Sequence, residues 1–195
     1  MLDLALRPRS ALARLDDEPA TVGADPPGVT LRETTPTALV AICARRAGAD
    51  GLGQAFRAGL GFDLPAPLKS AEGDGIRAVW TAPGQWLAFG DAGLVQRLAS
   101  SLGGAASLIE LTGARTVIGV SGPRGRDALQ KLLPIDLADA AFPIGAAAST
   151  IGAWLTVLVW RAGPDAYEAT TYRSFGLALW KVIGHAAEEY GIGRG

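Results

Sequence analysis

Cysteine, histidine and methionine occur once each in 195 residues, and that scarcity closes off more chemistry than it leaves open. The single thiol, Cys43, forbids a disulfide within the chain and makes the cytoplasm the expected compartment. It falls in the apolar run ALVAICARRAG with no histidine nearby in sequence to activate it, so it reads as a packed, inert thiol. The lone His185 is the only imidazole available as base for a Ser-His-Asp triad, and Ser121 stands in GVSGP rather than a GxSxG elbow. In HAAEE, His185 shares a helix face with Glu188 and Glu189, which could begin a metal site. The HxxEH zinc pattern needs a second histidine, however, and three protein ligands are the usual minimum for catalytic zinc. A solvated helix face is the expected role, and no catalytic, cofactor or metal residue is assigned to this chain.

Long hydrophobic runs are missing as well. The longest candidate, AWLTVLVW from Ala153 to Trp160, falls far below the ~18 residues of a membrane span and suits a buried strand. MLDLALRPRSALARLDDEP interleaves Asp3, Arg7, Arg9 and Arg14 with its apolar residues, so no secretory leader is expected. The formal net charge of −1 is spread along the chain, and neither nucleic acid nor membrane is an expected partner. Lysine is confined to Lys69, Lys131 and Lys181. The arginines that take its place suit bidentate, desolvated ion pairs at interfaces, although a genome rich in G and C gives the same bias. Despite 26 glycines, no GxGxxG follows a strand and GxxxxGK is absent, so nucleotide binding is not expected.

What is present is a globular composition, with 49% hydrophobic and 19% charged residues. Residues 1–28, rich in Pro, Ala and Asp without a sustained period, read as a flexible N-terminal arm that orders on a partner. Residues 29–195 read as a single α+β domain. VTLRET is a strand, Thr37 caps a helix through Gly48, and a second helix runs from Asp50 to Leu60. After the loop DLPAPLKSAEGDG, strands IRAVWTA and QWLAFG meet at the turn Pro83-Gly84, and Asp91 caps a helix ending at Gly103. The second half repeats the theme with strands ASLIELT and TVIGVSG, a helix from Pro123 to Leu133, three further strands and a terminal helix. Each half, about 29–103 and 104–195, thus approximates βαββα, a ferredoxin-like or split βαβ arrangement.

The terminal helix has the clearest period, with Phe175, Leu179, Val182, Ile183, Ala186, Ala187 and Tyr190 on one side. Ser174 is a candidate cap, and Arg173 beside the positive helix end calls for a carboxylate on a neighbouring element or subunit. The helix start at Pro123 to Asp127, with Arg124 and Arg126, is a candidate anion site, against the plainer reading of two surface arginines offset by Asp127. Four of the five tryptophans, Trp80, Trp86, Trp154, Trp160 and Trp180, alternate with apolar residues in strand segments, which predicts core packing rather than an aromatic box. PIDLADAAFPI is different. Ile135, Leu137, Phe142, Pro143 and Ile144 lie in an irregular segment, hard to bury in one small domain, and predict a subunit contact.

RTVIGVSGPRGRDALQKLLPIDL, from Arg115 to Leu137, is the most specific stretch of text. It resembles the gamma subunit of bacterial heterotetrameric sarcosine oxidases, which carry RTV, SGPRARD, a leucine-rich helix and a P(I/L)DL turn. AFPIGAAAST resembles that family's FPPGACAQT, and YRSFGLALW its PRSFA–LW. The resemblance reaches upstream through WTAPGQWLAFG and VTLRETTPTALVAI. Departures are Leu133 and Ala147 where many members have cysteine, Gly125 for alanine and Tyr172 for proline. The resemblance implies kinship with the folate-binding fold of glycine-cleavage aminomethyltransferases. It also implies a non-catalytic subunit in a complex that oxidises sarcosine to glycine with hydrogen peroxide, the methyl carbon passing to tetrahydrofolate or leaving as formaldehyde. FAD, FMN, NAD, zinc and tetrahydrofolate would then belong to alpha, beta and delta partners. Two alternatives stay open: a stand-alone folate-dependent one-carbon transferase using Glu110 or Asp136, and a gamma subunit of a complex acting on N-methylglutamate or betaine.

Overall fold

Twelve strands and four helices make up the regular structure of the computed structural model, which describes residues 9–15, 21–34, 36–46 and 49–195. The strands are β1 (Thr21–Val22), β2 (Val29–Glu33), β3 (Ala38–Ala44), β4 (Ser70–Gly73), β5 (Ile76–Ala82), β6 (Gln85–Gly90), β7 (Ala106–Glu110), β8 (Arg115–Ser121), β9 (Ala147–Gly152), β10 (Leu155–Gly163), β11 (Ala166–Tyr172) and β12 (Ile192–Arg194). The helices are α1 (Ala49–Leu60), α2 (Leu94–Leu102), α3 (Gly125–Gln130) and α4 (Gly176–Ala187). They form an α+β fold on two sheets, ordered β4-β5-β6-β3-β7 and β1-β12-β2-β8-β11-β10-β9.

Both sheets are built on a βαββαβ unit of ferredoxin-like order, its fourth strand on the side of the first; in the smaller sheet the two are direct neighbours. In the five-stranded sheet that unit is β3, β5, β6 and β7, with β4 added at the edge; in the larger sheet it is β8, β10, β11 and β12, with β2 wedged between β12 and β8. The sheets therefore do not divide the chain at residues 103 and 104. β2 crosses into the second sheet, and β7 returns to the first to pair with β3. Hydrogen-bond closure decides this, because β3 and β8 would each be left with an unpaired edge without the strand supplied from the other half of the sequence.

The largest departure from the expected elements is the helix expected from Thr37 to Gly48: Ala38–Ala44 form strand β3, and residues 47 and 48 lie outside the described residues. Val40 and Ile42 face the helices, while Leu39 faces the other sheet, so the strand is buried on both sides. A strand covered on both faces loses the polar alternation that marks it in sequence and reads as a continuous apolar run. Cys43 accordingly sits half-buried in a strand. β4 was hidden in a loop of Gly, Asp and Glu, and β12 is three residues at the end of the chain. α3 begins two residues after Pro123 and ends at Gln130, shorter than expected.

The layers run α1/α2, five-stranded sheet, seven-stranded sheet, α3/α4. Leu52, Phe56, Leu94 and Leu98 pack on Val40 and Ile42 at one outer core, and Leu129, Leu179 and Ile183 pack on Val120, Val159 and Tyr167 at the other. Between the sheets, Leu39, Val79, Leu87 and Phe89 meet Val117, Ala147, Leu158 and Trp160. The β8–α3 turn depends on Gly122, which has φ +107° and would place a Cβ 2.6 Å from the Gly28 carbonyl oxygen. Only glycine permits both that backbone and that approach.

The segment expected as an arm, residues 1–28, packs on the body where it is described. Leu12 and Leu15 are buried against the larger sheet's helix-side core, and β1 pairs with β12. Its Pro-rich composition concealed a few apolar anchors, which suffice for docking. Among the described residues no helix is long and apolar enough to cross a membrane.

Candidate functional site

Two features of the molecule stand apart from its packed cores. The first is a cleft of about 380 Å³ at one end of the space between the sheets, lined by Thr34, Arg77, Phe89, Val117, Trp160 and Glu168 among others. β10 and β11 place Trp160 opposite Glu168 in register, on the face that looks toward the smaller sheet. Arg77 of β5 reaches across, 3.9 Å from Glu168, and also pairs with Glu72. Burial pushes the Glu168 carboxyl above the ordinary glutamate range, while Arg77 pulls it back. The Trp160 indole N–H lies close enough to favour the ionised carboxylate, yet closes no hydrogen bond of normal geometry. Thr34 Oγ1 is a second buried polar atom without a partner.

The second feature is the far end of the seven-stranded sheet. β9 ends at Gly152, β10 begins at Leu155, β11 ends at Tyr172 and β8 begins at Arg115, and register pairs Gly152 with Leu155 and Tyr172 with Arg115. All four strands therefore stop at one rim. Along it Ile151 is 64% exposed, Trp154 94%, Tyr172 51% and Phe175 48%. Trp154 occupies a two-residue hairpin loop with Ala153, and both have positive φ, +47° for Ala153 and +69° for Trp154. That is the type I′ pattern, which normally selects Asn-Gly. A large aromatic held outward on a strained turn is the opposite of the core role expected for Trp154, and it is the functional candidate that sequence reasoning missed. The available signal was the spacing: AW are the only two residues between two strands.

At the β8–β11 end of the rim, Tyr172, Arg173, Ser174 and Phe175 line a groove of about 610 Å³ with Ala11, Gly113 and Ala114. The Arg115 guanidinium lies 4.7 Å from the Tyr172 ring centroid. Burial draws Arg115 below the usual arginine value, partly offset by Tyr172.

The residues singled out from sequence fare unevenly. Leu137 and Phe142, expected at a subunit contact, are buried in the chain's own core, and Ile135 packs half-buried against it. Their segment is held inward by Arg161, whose side chain donates to the carbonyl oxygens of Phe142, Gly163 and Pro164. Burial of this irregular segment is possible because the buried Arg161 cation satisfies its Phe142 carbonyl. Pro143 is exposed, and Ile144 is 57% exposed. Arg173 donates to the carbonyl oxygen of Arg9 rather than to a carboxylate, and Ser174 makes no capping bond. Phe175 turns out of the helix face that buries Leu179 and Ile183.

Arg124 pairs with Asp127 at 3.0 Å and lies 4.5 Å from the Tyr190 ring centroid, while Arg126 pairs with Asp139, so the candidate anion site is already neutralised. His185 is exposed, with Nδ1 3.2 Å from Glu188. Glu110 is exposed on an edge strand, and Asp136 accepts from the Ala138 amide in a local turn. Neither lines the inter-sheet cleft; the carboxylates there are Glu72, Asp91 and Glu168. No group of three or more His, Cys, Asp or Glu placed to hold a metal ion occurs among the described residues.

The model of the sarcosine oxidase, gamma subunit family matches residues 45–189. The chain belongs to that family. A sarcosine oxidase gamma subunit from an Arthrobacter species is 34% identical over 118 residues, 58% of each chain. One from Corynebacterium sp. (strain U-96) is 31% identical over 153 residues, 75% of this chain and 73% of the relative. The match thus spans about three fifths of the first relative's length. In three dimensions the chain superposes on one from the heterotetrameric sarcosine oxidase of Corynebacterium sp. U-96, in complex with pyrrole 2-carboxylate. The TM-score is 0.82 at 28% identity, covering 94% of this chain and 96% of that one. The Bartonella henselae glycine cleavage system aminomethyltransferase T shares the fold, with a TM-score of 0.58 at 16% identity over 86% of this chain and 48% of that one. The chain thus has the aminomethyltransferase-like architecture that its resemblance to the gamma subunit family implies.

Proposed function

We propose that this chain is the non-catalytic gamma subunit of a heterotetrameric sarcosine oxidase, contributing assembly and stability. The complex would oxidise sarcosine to glycine with production of hydrogen peroxide, the methyl carbon passing to tetrahydrofolate or leaving as formaldehyde. Its alpha, beta and delta subunits would hold FAD, FMN, NAD, zinc and tetrahydrofolate. The observation that carries this reading is the superposition over nearly the full length of both chains on a component of such a heterotetramer. The rim adds physical support: exposed aromatic side chains are the residue type that interfaces bury at their centres. A folded module that binds only the native forms of its neighbours stabilises them by mass action.

Co-expression with the other three subunits, with and without this chain, is the test. The expected result is loss of assembled complex and of bound flavin when the chain is omitted. Full flavin content and full activity in its absence would refute the assembly role. One observation favours a second reading, a folate-dependent one-carbon transferase: Glu168, Arg77 and the unpartnered Trp160 N–H converge on one cleft. Titration of the isolated chain with tetrahydrofolate separates the two, since micromolar binding supports the transferase and no binding supports the subunit.

A further inference from the structure

Arg57, Arg77, Arg97, Arg124, Arg126 and Arg161 each pair with a carboxylate. Arg115 and Arg173 do not: no carboxylate of the described residues forms an ion pair with either, and no acidic residue among the described residues lines the groove beside them. Glu33, on a strand of the same sheet, is taken up by the Ser10 hydroxyl. These two cations lie on the same rim as Ile151, Trp154, Tyr172 and Phe175. From β8 to β9 the rim crosses four strands, a width of roughly 14 Å at the usual strand spacing.

We propose that this rim docks a segment of a neighbouring subunit that presents a carboxylate between apolar side chains. The assignment rests on the subunit reading above and deepens it by naming the surface and the chemistry of its partner. Aromatic and arginine side chains together are the composition of interface hot spots. The carboxylate meets Arg115 and Arg173, and the apolar side chains cover Tyr172, Phe175 and Trp154. Charge also decides against a second copy of this chain as the occupant. A two-fold contact of the rim with itself would bring the same two arginines toward one another, with no acidic residue among the described lining residues to separate them.

The test measures binding of the full chain to the co-purified complex of the other three subunits, comparing wild type with Arg173→Glu, Arg173→Lys, Trp154→Asp and Phe175→Asp. Arg57→Glu, on the exposed face of α1, is the control. Thermal unfolding of each variant verifies the fold. Arg173→Glu, Trp154→Asp and Phe175→Asp should each weaken binding at least about tenfold, with Arg173→Lys in between and Arg57→Glu unchanged. Wild-type affinity in folded Arg173→Glu and Trp154→Asp would overturn the surface while leaving the subunit reading intact. Self-association of the wild type that Trp154→Asp abolishes would overturn the choice of partner. Failure of the wild type to bind the other subunits at all would instead remove the subunit reading itself.

Discussion

Replacing Ala153 and Trp154 together by Asn-Gly separates what one hairpin costs the folded chain from what it contributes to assembly. In the native turn both residues hold positive φ, a backbone region that costs an ordinary L-residue roughly 1–2 kcal/mol. Relief at two positions is worth about 2–4 kcal/mol. The glycine takes back about 0.5–1 kcal/mol through its freedom in the unfolded chain, and asparagine retains part of the strain. Trp154 is 94% exposed, so its removal forfeits almost no buried area. The net expectation is a gain of about 1–2 kcal/mol, or roughly 2–8 °C in Tm for a chain of this size. Far-ultraviolet circular dichroism during heating and urea unfolding measures it independently of tryptophan emission.

The same exchange removes an anchor from the rim. Burying a tryptophan of 150–250 Å² is worth roughly 4–6 kcal/mol gross, of which interface hot spots retain about 2 kcal/mol or more after ordering and desolvation costs. Isolated-chain stability and subunit affinity should therefore move in opposite directions. An unchanged or lowered Tm would refute the strain argument, and a stabilised variant that binds its partners as tightly as wild type would refute the anchor argument. Evolution tolerates a strained turn only where the residue held there does something the relaxed turn cannot.

Two further outcomes follow from the buried charges. Burial raises the Glu168 pKa in the folded state, so the stabilisation associated with its protonated form is complete below the unfolded value and is lost as pH rises through the folded one. Glu168→Gln should thus gain stability relative to wild type as pH rises from acid toward neutrality, in urea unfolding repeated across pH; a difference independent of pH would contradict it. Arg161 holds three backbone carbonyls, and its pair with the exposed Asp139 adds little. Arg161→Ala should cost about 2–4 kcal/mol by equilibrium denaturation, with Arg161→Lys recovering little because an ammonium cannot span the same fork. A loss under about 1 kcal/mol would sink that account.

Much of the second half was legible because its elements are locally specified. β8, β10, β11 and α4 carry β-branched runs or a helical period, bounded by Gly or Pro, and their positions follow almost residue for residue. β3 was not legible, since burial on both faces removes the alternation on which strand recognition depends. Phe142 and Leu137 misled for a related reason: an apolar loop looks like an interface until a cation from another strand, Arg161, is seen to satisfy its Phe142 carbonyl.

Motif text and composition by themselves determined the family, the α+β class and the exclusion of a disulfide within the chain, because those depend on residue identity and short-range order. Only the tertiary structure decided which strands close each sheet, that Glu168, Arg77 and Trp160 share a cleft, and that Trp154, Tyr172, Phe175, Arg115 and Arg173 share a rim. Those groupings join residues tens of positions apart. They are set by register and by which hydrogen bonds and charges are left without partners after the core has packed, and neither is written in any local window of the chain.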